Sequence, residues 1–143
     1  MTTWLSSHFS LEELVATAHR GIDNRPPPAV GIALRDTARR MEAVRKVLGN
    51  RPISISSGFR SAQLNAAVGG AANSAHLSGH AADFNCYGFG DPGEVCHALN
   101  RSDLEFDQII EEGSWVHISF DPRMRRQVMT RTRTNGYAQG LAA

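Results

Sequence analysis

Two histidines and an aspartate are spaced so that they could hold a metal ion. His76 and Asp83 lie within the run Ser74-Ala75-His76-Leu77-Ser78-Gly79-His80-Ala81-Ala82-Asp83, and His117 follows in Trp115-Val116-His117. Neutral imidazole nitrogen and carboxylate oxygen are suitable zinc ligands. Three protein ligands leave a fourth position for water, which is the arrangement of a catalytic zinc; a structural zinc has all four positions filled by protein. An open zinc lowers the pKa of its water toward neutrality and polarises a carbonyl. Hydrolysis also needs a general base beside that water, and Glu111 and Glu112 stand shortly before His117.

These residues work together only if the surrounding elements bring them to one place. His80 to Cys86 reads as a strand, and Phe106–Glu111 and Trp115–Phe120 read as two more, joined in a hairpin with its turn near Gly113. If the strands of Asp83 and His117 are neighbours, both side chains can face one pocket while His76 reaches over from the loop before Gly79. Successive strand residues alternate between faces, so Gln108, Ile110 and Glu112 share one side and Ile109 and Glu111 the other. Gln108 is polar in an otherwise apolar strand. Its side is taken as the site side, which selects Glu112 as the general base and makes Gln108 a candidate substrate contact.

The remaining elements form the scaffold. Ser10-Leu11-Glu12-Glu13 is a capping box, followed by a short helix that Gly21 is expected to end. Pro26-Pro27-Pro28 leads into the longest amphipathic helix, Ala29 to Leu48, with Val30, Leu34, Ala38, Met41, Val44 and Leu48 on one stripe. Ile53-Ser54-Ile55-Ser56 alternates as a strand, Ser57-Gly58-Phe59-Arg60-Ser61 turns, and a short helix runs through Leu64 to Val68. The stretch to Gly79 reads as a loop. Asp91-Pro92-Gly93-Glu94 starts one more helix, running to about Leu99. Helices first, then strands with one helix among them, point to an α+β fold: a single domain with a small antiparallel sheet packed on the N-terminal helices.

Composition sets further bounds. The chain has 143 residues and a formal net charge of +1, enough for one domain with its own core. No apolar run is long enough to span a bilayer, and the start lacks a signal-peptide pattern. Synthesis in the cytoplasm is therefore expected, with no membrane partner. Cys86 and Cys96 form no Cys-x-x-Cys motif and read as small buried hydrophobes. Residues 123–143 hold all five arginines of the last stretch (Arg123, Arg125, Arg126, Arg131, Arg133). Such a segment can touch an anionic polymer, but the expectation is a solvated, partly frayed basic tail following a domain at 1–122.

A single histidine is more often a surface or satisfied core residue than a ligand. His8, His19 and His97 have no partner pattern and read as structural, and the spacing of His80 to Asp83 suits a ligand pair less well than that of His76. His-x6-Asp taken alone is a weak motif.

The surrounding residues add weight. The run Ser57-Gly58-Phe59-Arg60-Ser61, then Leu64-Asn65, Val68-Gly69-Gly70, Asn73-Ser74-x-His76-x-x-Gly79-x-Ala81-x-Asp83, Asp107-Gln108-Ile109-Ile110-x-Glu112 and Trp115-Val116-His117-Ile118-Ser119 resembles the zinc D-Ala-D-Ala carboxypeptidases. Their relatives include the vancomycin-resistance D-Ala-D-Ala dipeptidases, phage L-alanyl-D-glutamate endopeptidases and the hedgehog signalling domain. The resemblance also takes in Phe9-Ser10-Leu11-x-Glu13-Leu14 and the proline-rich lead into the long helix. It implies that one zinc ion is held by His76, Asp83 and His117. It also implies that Glu112 is the catalytic glutamate, with Glu111 an open alternative because the turn to His117 is short. Arg60 then holds a substrate carboxylate or the developing oxyanion, for which a planar, permanently charged fork is suited. Ser74 bonds substrate or orients the site, and Trp115 lines the pocket or packs in the core.

The implied activity is hydrolysis of a peptide bond in bacterial peptidoglycan, as a carboxypeptidase or endopeptidase. The expected partner is a peptidoglycan peptide, with no nucleic acid, and the expected state is a monomer. A phage or prophage lysis enzyme, let out of the cytoplasm by a holin pore, fits the basic tail and the missing leader. The competing reading is a non-catalytic zinc-containing module that binds peptide or cell wall. The presence of both Arg60 and an acid near His117 favours the enzyme.

Overall fold

The computed structural model describes residues 1–134 and 136–142. The capping box forms as the sequence indicates: Ser10 Oγ accepts from the Glu13 amide at 3.2 Å and Glu13 Oε1 accepts from the Ser10 amide at 2.8 Å. Helix α1 spans only Leu11–Val15 and stops at an extended Ala16, well before Gly21. Its last carbonyls are taken by tertiary partners. The Phe59 amide donates to Leu14 O at 2.7 Å and Asn24 Nδ2 donates to Val15 O at 2.9 Å. With those acceptors occupied, another helical turn has nothing to bond to.

Helix α2, Pro28–Val47, starts on its proline as expected. It buries Leu34, Ala38, Met41 and Val44, the stripe read from the sequence. Strand β1 is Ser54–Ser57, helix α3 is Ala62–Ala67 and β2 is Ala81–Asn85. Between the last two, the expected loop contains a 3-10 turn at Ala75–Ser78. Helix α4, Pro92–Arg101, has its own capping box of Asp91 and Glu94. The hairpin strands are β3, Gln108–Glu111, and β4, Val116–Ser119.

The architecture is α+β, with one six-stranded sheet in the order β1-β2-β4-β3-β5-β6. The last two strands, β5 (Gln127–Arg131) and β6 (Tyr137–Gln139), lie in the stretch expected to be a solvated tail. That expectation is corrected. Arg125 places Nε and Nη2 on the two oxygens of the buried Asp107, each at 2.9 Å, and Arg126 donates to the carbonyls of Ser102 and Leu104 at the end of α4. Arg123 is bonded to Asp121. Two of the five arginines, Arg125 and Arg126, thus dock the segment rather than solvate it, and β5 joins the same sheet beyond position 122.

The β3–β5 pair is parallel, whereas the other strand pairs are antiparallel. The topology requires it. β4 ends with Ser119 opposite Gln108, at the start of β3. A short connection to the far side of β3 therefore begins at that same end and runs along β3 in its own direction.

Alternation divides the central strands into two faces. Ala82 and Phe84 of β2, Val116 and Ile118 of β4 and Ile109 of β3 join Leu34, Met41, Val44, Val95 and Leu99 in the apolar core. Both cysteines are buried in this cluster and free, and burial, then the charge of Glu111, pushes the Cys96 thiol up to about 12. The opposite face carries Asp83, His117 and Ile110, which are aligned in register across the three strands. No helix among the described residues is long and apolar enough to cross a membrane.

Candidate metal centre

His76, Asp83 and His117 meet. Each is buried, and each offers one ligand atom within 4.8 Å of the other two. Asp83 and His117 are direct cross-strand partners on β2 and β4. His76 comes from the 3-10 turn, where Ser74 Oγ accepts from its backbone amide at 3.2 Å. The turn ends at Gly79, whose φ of +81° is in the left-handed region that favours glycine. The side chain of Thr37 in α2 donates to Gly79 O at 2.7 Å and ties this loop to the long helix.

The hydrogen bonds around His76 show what the cluster requires. His76 Nδ1 lies 2.6 Å from the carbonyl oxygen of Gly58. A carbonyl can only accept, so Nδ1 carries the proton. Burial pushes the His76 pKa below its usual value, against the pull of Asp83, so the ring is neutral at pH 7 and Nε2 presents a lone pair. That lone pair faces Asp83 Oδ1 at 3.2 Å. His117 Nδ1 is 2.9 Å from the same oxygen. Burial would raise the Asp83 carboxyl, but the bond from His117 leads the opposing effects, and the group stays ionised well below the usual carboxylate range. A neutral imidazole acceptor and a carboxylate acceptor directed at one another are stable together only around a cation. The set therefore fits one zinc ion on the chemistry of its donors. The His76–Gly58 bond is the outer contact that fixes which nitrogen is offered. Gly58 itself admits no side chain, because a Cβ there would collide with the Leu14 carbonyl.

Arg60 leaves the turn after β1 and reaches the same place. The β1–β2 register shifts between Ile55 and Ser57, a bulge that redirects the chain toward the site. Arg60 Nη2 lies 3.4 Å from Asp83 Oδ2, Nη1 donates to Asn65 Oδ1 at 3.2 Å, and Nε donates to Ser57 Oγ at 3.3 Å. Of five guanidinium N–H donors, two remain available. Asn65 is anchored in turn by donating to Ala71 O at 2.9 Å.

The two glutamates separate. Glu111 pairs with Val116 on the core side. It lies near Cys96 and lines a depression with Asp91, Glu94 and His97 at the start of α4. Glu112 stands on the metal side, half-buried. Burial, then the charge of Asp83, raises its pKa, with His117 opposing. The hydroxyl of Tyr137 donates to Glu112 Oε1 at 3.2 Å.

Other expected site residues are engaged in structure. Ser74 caps the His76 turn. Gln108 is on the metal side, and its amide donates to Gln127 Oε1 at 2.8 Å, stitching β3 to β5. Trp115 is half-buried, and its Nε1 is buried without a hydrogen-bond partner among the described residues. His8 bonds Glu42, His80 bonds Ser78, and His97 bonds the carbonyl of Ala142, all outside the cluster. Sequence reasoning missed Tyr137, for which a lone aromatic in a polar stretch gave no signal. It also missed Asn24, whose side chain clamps Val15, Phe59 and Ser61 around the Arg60 turn.

An α+β domain with a buried His–Asp–His donor set, an acid on the same sheet face and a fixed arginine defines a metallopeptidase-like class. The family model for peptidase M15 matches residues 7–119, and the chain belongs to that family. It is similar to the zinc D-Ala-D-Ala carboxypeptidase of Streptomyces albus G, with 39% identity over 77 residues. The aligned stretch covers 54% of this chain and 29% of that relative.

Proposed function

We propose that the protein is a zinc-dependent peptidase that hydrolyses a peptide bond in bacterial peptidoglycan stem peptides, as a D-Ala-D-Ala carboxypeptidase or an endopeptidase. The observation that carries this reading is the facing pair of acceptors, His76 Nε2 and Asp83 Oδ1, with His117 on the same oxygen. His76, Asp83 and His117 would hold the metal. Zinc, when bound, supplies Lewis acidity and acidifies its water.

Glu112 takes the proton of the attacking water and returns it to the leaving amine. Its half-buried position, where burial raises its pKa above the ordinary carboxylate value, suits a group that must both accept and release a proton. Arg60 uses its two remaining donors on a substrate carboxylate or on the developing oxyanion. Its other three bonds fix the plane of the fork in advance. Ser74 and Gln108 contribute by holding the His76 turn and strand β5, and Trp115 walls the substrate path. Action at the cell wall, with phage-type release from the cytoplasm, belongs to the same reading.

The test is peptide release from purified peptidoglycan and defined muropeptides, read by mass spectrometry, which also identifies the bond cleaved. The purified protein should carry about one zinc per chain. A chelator should abolish release and added zinc should restore it, and Asp83→Ala should lose both metal and release. A zinc-loaded protein that binds peptidoglycan and releases nothing would instead establish the non-catalytic binding module.

A further inference from the structure

The general base lies one residue past the end of β3, where strand pairing no longer fixes it. The Glu112 amide closes the hairpin by donating to Trp115 O at 3.0 Å. Among the described residues its side chain has a single hydrogen-bond partner, Tyr137. Tyr137 belongs to β6, beyond residues 7–119 that match the family. The register of three strands explains how it arrives there. Glu111 pairs with Thr130 in the parallel β3–β5 ladder, so Arg131 stands beside Glu112, and Arg131 pairs with Tyr137. Two strand spacings separate Glu112 from Tyr137, about 10 Å. A long side chain with a polar tip spans that gap, and a tyrosine meeting a glutamate closes it.

We propose that Tyr137 is a positioning residue for the general base, supplied by the C-terminal strand pair of this chain. The inference rests on the reading of Glu112 as that base. The phenol donates to Oε1 and fixes the carboxylate plane, which leaves Oε2 free to receive the proton. A neutral donor does this without bringing a full positive charge onto the base. Arg131, its cross-strand partner, is an arginine nearby, and it acts on Glu112 and Tyr137 without a hydrogen bond to either among the described residues. The strand pair is bound to the catalytic body by the Asp107–Arg125 fork and the Gln108–Gln127 amide bond, so the hydroxyl is held by the sheet.

The test compares Tyr137→Phe, Glu112→Gln and the double variant in the zinc-loaded protein. Tyr137→Phe keeps the ring and should lower kcat about three- to tenfold, with KM, melting temperature and zinc content unchanged. The double variant should be no slower than Glu112→Gln alone. A second readout uses the zinc-loaded protein in a Tyr87→Phe background, where Tyr137 is the remaining tyrosine. Burial, then the charge and hydrogen bond of Glu112, push its phenol up, so adding Glu112→Gln should lower the ionisation midpoint read by ultraviolet absorbance. Parental kcat in Tyr137→Phe alongside an inactive Glu112→Gln overturns this inference and leaves the peptidase reading intact. Parental activity in Glu112→Gln overturns the assignment of the base, and this inference with it. An unmoved tyrosine midpoint shows that the contact does not form and overturns the inference alone.

Discussion

The two faces of the β2–β4–β3 strands are built from the same short segments, and one residue of register separates their tasks. On one side Phe84, Val116, Ile118 and Ile109 are sealed against helices α2 and α4. On the other, Asp83, His117 and Ile110 line up with Glu112 close by. Asp83 adjoins Phe84, His117 lies between Val116 and Ile118, and Glu112 follows Glu111. The core face holds the strands in place by apolar burial, and that fixed backbone pre-sets the distances on the chemical face. The donors lie deep as well, since His76, Asp83 and His117 are all buried. The metal face is thus almost as dry as the core, and its polar groups must satisfy one another.

The sharpest way to break this comparison is to exchange the glutamates that straddle it. Glu112→Gln should lower kcat by about a hundredfold to ten-thousandfold, the usual share of a general base. Glu111→Gln, on the core side, should stay within about twofold of the parent, since its carboxylate touches the hairpin amide of Gly113 and no site residue. Peptide-release kinetics on both variants decide the matter. The reverse ranking would move the base to Glu111 and show that the hairpin turns over when substrate binds.

A core-side change should do the opposite. Ile109 is fully buried between two strand positions that face the other way. Ile109→Ala should cost about 2–5 kcal/mol of unfolding free energy, read by denaturant titration, while zinc content and kcat per folded molecule hold at parental values. A loss of kcat in step with stability would show that the two faces are coupled more tightly than alternation alone requires.

Much of this division is legible in the sequence. Apolar periodicity marks α2, the capping boxes mark the starts of α1 and α4, and strand alternation puts Glu112 with Gln108 and away from Ile109. What stayed hidden has physical causes. The early stop of α1 depends on the Phe59 amide and Asn24 capturing carbonyls from far along the chain, which no local pattern records. Strands β5 and β6 have no fully buried residue, so they lack the apolar alternation by which a strand is recognised. Their arginines and threonines are what an edge needs to resist pairing with other chains, and in sequence that composition is the same as a solvated tail. Tyr137 was hidden with them. The fit of His76 to a metal required knowing that Gly58 O stands behind its ring, a contact between residues eighteen positions apart.

The comparison also separates two buried carboxylates that each meet an arginine. Asp83 contacts Arg60 at the centre, and Asp107 is clamped by Arg125 at the start of β3. Asp107 lies two residues before Ile109, on the structural side. The Arg125 side chain, ahead of the opposing effect of burial, holds its carboxyl below the ordinary value. A group with a depressed folded-state pKa stabilises fully above its unfolded-state pKa, near 4. That contribution fades as pH falls through the folded-state value. Arg125→Ala should therefore lower stability by about 1–3 kcal/mol at pH 7, and the gap to the parent should narrow steadily below about pH 4. Comparing the two proteins at each pH cancels the titration of every acid they share. Because Arg125 anchors β5, the variant should also lose hydrogen-exchange protection first at Gln127–Arg131. A gap that stays constant with pH would mean that Arg125 holds the strand through packing alone.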